Sequence, residues 1–308
     1  MKIVVVGSGA IGCLFGGLLS KGGHDVWMVD KNKEVVETIK EKGICIVTDG
    51  ETLQHIQRQS TLNPREIESC DFILLCVKCF DTEEAVQGIS HLIKGEIPLL
   101  TLQTGMGNIK TASSIIPEKN ILGGVTYNGA TVLSPGRIRY VSPGETYIGE
   151  IDGKETERVH HLLEVFKGSG IETKISDNIR GHIWSKAIIY SGINPLTAIL
   201  RIKNGQLLDK IESINLLREI IKEGIEIAER SGRRLIYDEP YESLFYFCKK
   251  TSENLSPMLQ DILNKRKTEI DALNGAIVEK GREIGIHTPV NRAIRDIIKL
   301  LEKWGGCE

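Results

Sequence analysis

Three glycines spaced Gly7-x-Gly9-x-x-Gly12 are the first residues in the chain whose types and spacing could do chemistry. They follow a β-branched apolar run, Ile3-Val4-Val5-Val6. They precede Ile11, Leu14, Phe15, Leu18 and Leu19, which share one helical face. In a strand–turn–helix of this kind the first glycine allows the tight reversal. The second lets backbone approach a pyrophosphate, and the third lets helix and sheet pack closely. The helix start, with Ser8, Ala10 and Ile11, offers unpaired N–H groups and a positive dipole end to phosphate. A glycine turn alone also suits a purely structural bend. A second strand over residues 25–30 completes a βαβ unit and points to a dinucleotide site.

Asp30 closes that second strand. An acid there accepts ribose hydroxyls and favours NAD(H), whereas a nearby cation accommodates the 2′-phosphate of NADP(H). The chain offers both, Asp30 and then Lys31 and Lys33, although a solvated first turn of a helix over 32–42 also accounts for the lysines. Lys78 ends a buried strand over 71–77, at the carboxyl end where parallel sheets open to ligands. A surface lysine at a loop start fits the same place. Residues 98–103 predict another strand, running into Thr104-Gly105-Met106-Gly107-Asn108, where backbone can come close to a ligand.

A dinucleotide site followed by a helical domain suggests a dehydrogenase, and hydride transfer to a ketone needs a proton for the developing alkoxide. The seven histidines show no partner pattern. Lys186 lies on an otherwise apolar helical stretch, residues 183–189. Partial desolvation would lower its pKa and let it donate a proton near neutrality. On pattern alone, a lysine snorkelling its ammonium to water is the simpler reading. Tyr190 and Asn194 follow at four-residue steps and share its face if the helix continues. Pro195 predicts that it stops about there. Glu269 and Asp271, on a helix predicted over 267–284, point in different directions and so form no acid–base pair; each also reads as solvated face.

The elements that must position these residues follow from length and texture. A chain of 308 residues suits about two domains. With 41% hydrophobic and 26% charged residues it is ordinary globular protein. A net charge of −2 gives no reason to expect nucleic acid. No apolar run approaches the roughly 18–20 residues of a membrane span. The start enters a strand directly, so no signal peptide is expected. Seven scattered cysteines fit a reducing cytoplasm. Cys76 and Cys79 form a CxxC without a second pair or nearby histidines, which reads as two thiols at a strand end, and no metal site is expected. Residues 51–65 are polar and show no period. Residues 126–149 alternate between Ser-Pro-Gly turns at 134–136 and 142–144, predicting antiparallel strands that finish the sheet. From 177 onward the period is helical, over 177–191, 210–231, 241–251, 267–284 and 291–304. The expected fold is α/β. A Rossmann-type, mainly parallel sheet over 1–176 binds the dinucleotide, and an all-helical domain over 177–308 carries substrate and catalysis.

Together these stretches resemble the ketopantoate reductases (2-dehydropantoate 2-reductases) over nearly the whole chain. The residues that carry the likeness are Gly7-Ser8-Gly9-Ala10-Ile11-Gly12, Cys76-Val77-Lys78, Gly105-Met106-Gly107 and Trp184-Ser185-Lys186. Asn194-Pro195-Leu196-Thr197, Met258-Leu259-Gln260-Asp261, Thr268-Glu269-Ile270-Asp271 and Asn274-Gly275 complete it. The resemblance implies NADPH-linked reduction of 2-dehydropantoate to pantoate, a step toward pantothenate and coenzyme A. It matches Lys186 to the catalytic lysine, the general acid, and Glu269 to the acid that contacts cofactor ribose and orders the site. It matches Asn194 to a substrate-binding amide and Lys78 to a lysine near the nicotinamide end. Lys31 falls where the family often has an arginine for the 2′-phosphate.

Three pocket positions depart from the family pattern. Thr104 replaces an asparagine that would serve cofactor and substrate, and Tyr190 replaces a substrate amide. Pro257 replaces a serine, with Ser256 adjacent as the substrate-binding candidate. Losses of this kind in a hydrogen-bonding pocket bear on substrate choice. The alternatives are a reductase of another branched 2-oxo acid, use of NAD(H), and a non-catalytic dinucleotide-binding sensor on the same fold. The expected partner is a small 2-oxo acid, with no nucleic acid and no membrane. The apolar helices could serve a core or a homodimer contact equally well.

Overall fold

The computed structural model describes residues 1–50, 52–53 and 59–307. The chain divides into two compact units, Met1–Gln103 with Asn108–Ile179, and Thr104–Gly107 with Arg180–Glu308.

The first unit runs β1 (Lys2–Val6), α1 (Ala10–Lys21), β2 (Asp25–Val29), α2 (Lys33–Lys42), β3 (Cys45–Val47), β4 (Thr52–Leu53) and β5 (Ser60–Thr61). It continues with β6 (Phe72–Leu75), α3 (Thr82–Ile89), β7 (Leu99–Thr101), α4 (Asn108–Ser113), β8 (Ile121–Thr126), β9 (Gly129–Ser134) and β10 (Arg137–Ser142). It ends with β11 (Thr146–Glu150), α5 (Glu157–Gly168) and β12 (Thr173–Ile175). Of the polar stretch 51–65, Glu51 and residues 54–58 lie outside the described residues.

An eight-stranded sheet has the order β12-β11-β8-β7-β6-β1-β2-β5. β1 pairs in parallel with β2 on one side and β6 on the other, so the order reverses there and leaves a crevice at the carboxyl ends. Both faces of β1 are buried, which is why its run is continuous rather than alternating. Ile3 and Val5 pack in a core with Phe15, Phe72 and Phe166, while Val4 and Val6 pack with Ile73, Leu75, Val86 and Ile89.

The region 126–149 corrects the expectation that its strands all finish this sheet. Only β11 does so as an antiparallel strand, beside β8, with β12 parallel beyond it. β9 and β10 form a hairpin in a second sheet of order β4-β3-β10-β9. With the free edge of β8 taken by β11, the hairpin pairs through β10 with β3, where Ile138 opposite Ile46 is buried.

The second unit is helical: α6 (Ile179–Leu200, with Ile179 itself in the first unit), α7 (Ile211–Arg230), α8 (Pro240–Lys250), α9 (Pro257–Leu263), α10 (Asn274–Glu283) and α11 (Pro289–Gly305). α7, α10 and α11 pack against one another. The core residues include Ile188, Leu217, Ile220, Ile221 and Leu244, with a second group around Met258, Ile270, Ile277 and Ile298. Among the described residues no helix is long and apolar enough to cross a membrane.

Two helix boundaries differ from expectation. α6 does not stop at Asn194 but continues through Pro195 to Leu200. The stretch 267–284 is not one helix. Glu269 precedes a 3-10 turn, Ile270–Ala272, and Leu273 at φ −105, ψ −97 leaves the helical region before α10 begins.

Candidate functional site

In the first unit the glycine turn joins β1 to α1. Gly7 has φ +98, and a Cβ there would lie 2.7 Å from the Val77 nitrogen. A Cβ at Gly12 would lie 1.8 Å from the Gly7 carbonyl oxygen, so a side chain at either glycine breaks the turn. Gly9 is different: it is exposed, and a Cβ there would meet nothing within 4 Å. Beside it the Ser8 hydroxyl is buried without a hydrogen-bond partner among the described residues. Ala10 and Ile11 begin α1, whose first turn holds no acid to oppose an anion. Open space at Gly9, an orphaned hydroxyl and a helix N-terminus fit the pyrophosphate of a dinucleotide.

Asp30 is tied into this turn. Its carboxylate accepts the Ser8 N–H at 2.6 Å and the Asn32 N–H at 2.9 Å. Lys31 is exposed and paired with Asp81 at 2.6 Å, and that bond raises its pKa. Lys78 lies half-buried after β6, leading into the turn Cys79–Asp81. Gln103, a residue with no sequence signal of its own, is buried and staples the strand ends. Its amide donates to the Val77 carbonyl at 3.0 Å and to Thr82 Oγ1 at 2.7 Å. Burial raises the Cys76 thiol far above its ordinary value, and among the described residues neither Cys76 nor Cys79 forms a disulfide. Among the described residues no group of three or more His, Cys, Asp or Glu could hold a metal ion.

In the second unit, α6 carries Lys186, Tyr190 and Asn194 on one face. The Lys186 ammonium lies 5.4 Å from the centre of the Tyr190 ring. Lys186 keeps part of its surface open, yet desolvation of its ammonium outweighs the attraction of Glu269. Its pKa is lowered to about 8. Burial pushes the Tyr190 hydroxyl up to about 12, so it stays protonated. The Asn194 side chain is buried, and its Oδ1 has no hydrogen-bond partner among the described residues.

The segment bearing Glu269 is held from two directions. Glu302 of α11, a buried carboxylate, accepts the Thr268 N–H and hydroxyl. A charged residue on an amphipathic helix reads as solvated face, so the sequence carries no sign of this role. On the other side, the Met106 N–H donates to the Ala272 carbonyl at 2.8 Å. Gly105, at φ +95, brings the backbone so close that a Cβ would lie 2.7 Å from that of Ala272. Thr104, half-buried, opens this turn. Ser256 is buried as the N-cap of α9; its Oγ accepts the Leu259 N–H at 3.1 Å and lies 2.7 Å from Thr197 Oγ1.

Residues 3–153 match the family model described as ketopantoate reductase PanE/ApbA, and residues 178–302 match its C-terminal counterpart. The chain is 36% identical to the 2-dehydropantoate 2-reductase of Pyrococcus abyssi, over 99% of both chains. It is 32% identical to that of Archaeoglobus fulgidus over 98% of both. Among solved structures, the D-mandelate dehydrogenase ternary complex with NADH and anilino(oxo)acetate is similar at TM-score 0.93, with 27% identity over the full length of both chains. A ketopantoate reductase from Ralstonia eutropha JMP134 is similar at TM-score 0.91, with 28% identity over 99% of both.

Proposed function

Since the chain belongs to the ketopantoate reductase family, oxidoreductases acting on a CH–OH group, we propose that it reduces 2-dehydropantoate to pantoate with NADPH. The observation that carries this reading is Lys186, a lysine whose surroundings lower its pKa to about 8 beside Glu269. Residues 1–176 serve the dinucleotide and residues 177–308 the substrate and the proton. Gly7, Ser8, Gly9, Ala10, Ile11 and Gly12 hold the pyrophosphate, and Lys78 and Thr104 stand toward the nicotinamide end. When bound, the nicotinamide supplies a hydride to the carbonyl carbon.

Lys186 gives its proton to the alkoxide oxygen and stabilises the charge that develops there. Glu269 favours the charged form of Lys186 and contacts the cofactor ribose. Asn194, whose Oδ1 is buried without a partner among the described residues, accepts from the substrate's own hydroxyl. The Tyr190 and Thr104 hydroxyls stand in for the amides usual in the family. Ser256 contributes at the substrate side through the turn that it caps. Buried thiols at Cys13, Cys70 and Cys248 support a reducing, cytoplasmic setting.

A second reading of the cofactor has its own support. The Asp30 carboxylate at the glycine turn, the pairing of Lys31 with Asp81 and the NADH in a similar structure support Asp30 as a ribose acceptor. Following oxidation of NADPH and NADH with a panel of 2-oxo acids tests all of this. The expected result is fastest turnover with NADPH and 2-dehydropantoate. Preference for a different branched 2-oxo acid would replace the substrate, and preference for NADH the cofactor. Cofactor binding without turnover of any 2-oxo acid would make the protein a sensor.

A further inference from the structure

Pro195 and Asn274, far apart in sequence, meet at one carbonyl. Pro195 lies inside α6 and has no N–H to give to the carbonyl four residues back, that of Ser191. Asn274 Nδ2 donates to that carbonyl at 3.0 Å. Asn274 is the first residue of α10 and has no exposed surface. The same Nδ2 lies 2.9 Å from Asn291 Oδ1. Asn291 in turn donates from its own Nδ2 to the Ile220 carbonyl at 2.9 Å and to Glu223 at 2.7 Å. Glu223 also accepts the N–H groups of Val290 and Asn291 at the start of α11. A chain of buried bonds anchored in α7 and α11 therefore aims the Asn274 amide at the turn of α6 between Tyr190 and Asn194.

We propose that Asn274 is a positioning residue for the substrate. Its side-chain amide replaces the backbone donor that Pro195 removes, and so sets where Asn194 stands relative to Lys186. Without it a buried carbonyl would face a proline ring unpaired, and the turn would open. The substrate role rests on the reductase reading; the hydrogen bond does not.

A double-mutant cycle of Asn274→Ala with Pro195→Ala tests this, because alanine at 195 returns an N–H to the helix. In the parental background Asn274→Ala should raise the KM for the 2-oxo acid about tenfold, the weight of one buried hydrogen bond. The kcat and the KM for NADPH should change by less than about threefold in that variant. With Pro195→Ala present, the same change should cost less than about threefold. A purely structural asparagine would lower thermal stability without splitting the two KM values, and equal effects in both backgrounds would overturn the proposal. If Asn274→Ala alone does not fold, the double variant is expected to fold, and its failure would also overturn it. Absence of 2-oxo acid turnover in the parent would remove the reductase reading and the substrate role, leaving the stability cycle to decide the hydrogen bond alone.

Discussion

Glu302, near the end of α11, accepts both the N–H and the hydroxyl of Thr268, at 2.8 and 2.6 Å. Thr268 immediately precedes Glu269, so the carboxylate that acts on Lys186 is held from the far end of the chain. Glu302→Ala leaves two buried donors unpaired and should lower stability by about 1–3 kcal/mol. Glu302→Gln keeps an oxygen at the same place and should recover most of the loss. Thermal or denaturant unfolding of the two variants checks this, and an alanine variant as stable as the parent would contradict it.

As the proposed proton donor, Lys186 should set a pH dependence whose sign follows from its surroundings. Burial lowers its pKa to about 8, with Glu269 acting the other way. A proton donor must be protonated, so kcat/KM should be level below that pH and fall about tenfold per unit above it. Glu269→Gln removes the influence that raises the pKa, so the basic limb should move to lower pH. Lys186→Ala should reduce kcat by roughly 10²–10⁴ at saturating cofactor. Near-parental turnover in that variant, or a basic limb unmoved by Glu269→Gln, would count against the assignment.

Tyr190 separates a ligand from a wall. Tyr190→Phe keeps the ring beside the Lys186 ammonium and deletes only the hydroxyl. As a replacement for the missing amide, that hydroxyl should be worth about tenfold in kcat/KM for 2-dehydropantoate. A change below about twofold would make Tyr190 a boundary of the pocket, with Asn194 and Lys186 holding the substrate.

The ion pair between Lys31 and Asp81 makes the proposed preference for NADPH testable from both partners. Lys31→Ala should raise the KM for NADPH about tenfold or more, through loss of one charge-assisted contact, and leave NADH nearly unchanged. Asp81→Asn should release Lys31 from its ion pair and lower the KM for NADPH. Equal responses of both cofactors would transfer the role to Asp30 as ribose acceptor.

Much of this architecture is legible locally, and the rest depends on partners that local rules do not name. The Gly7, Gly9 and Gly12 turn is contiguous with the apolar run before it, and continuous runs such as Phe72–Leu75 read directly as buried parallel strands. Alternation in β9 and β10 reveals strands but not that β3 is their neighbour. Pro195 reads as a stop because the rule counts only the missing N–H, while the replacing donor sits 83 positions from the Ser191 carbonyl that it reaches. Glu269 reads as helical because nothing nearby signals the break at Leu273 or the grip of Glu302 on Thr268.

The turn 104–107 has a consequence for inheritance. Met106 is buried among Met258, Leu259, Ile270 and Leu273, and so completes a core otherwise made entirely by residues after Arg180. A gene fragment starting at codon 180 would encode six helices around a hole. Recombination that joins the front of one relative to the back of another would import a foreign plug. Such chimaeras should survive only where the incoming tetrapeptide keeps a glycine beside Ala272 and then a side chain of methionine's volume. These four positions must therefore drift in step with the helical half of the gene, although they are written in the other half.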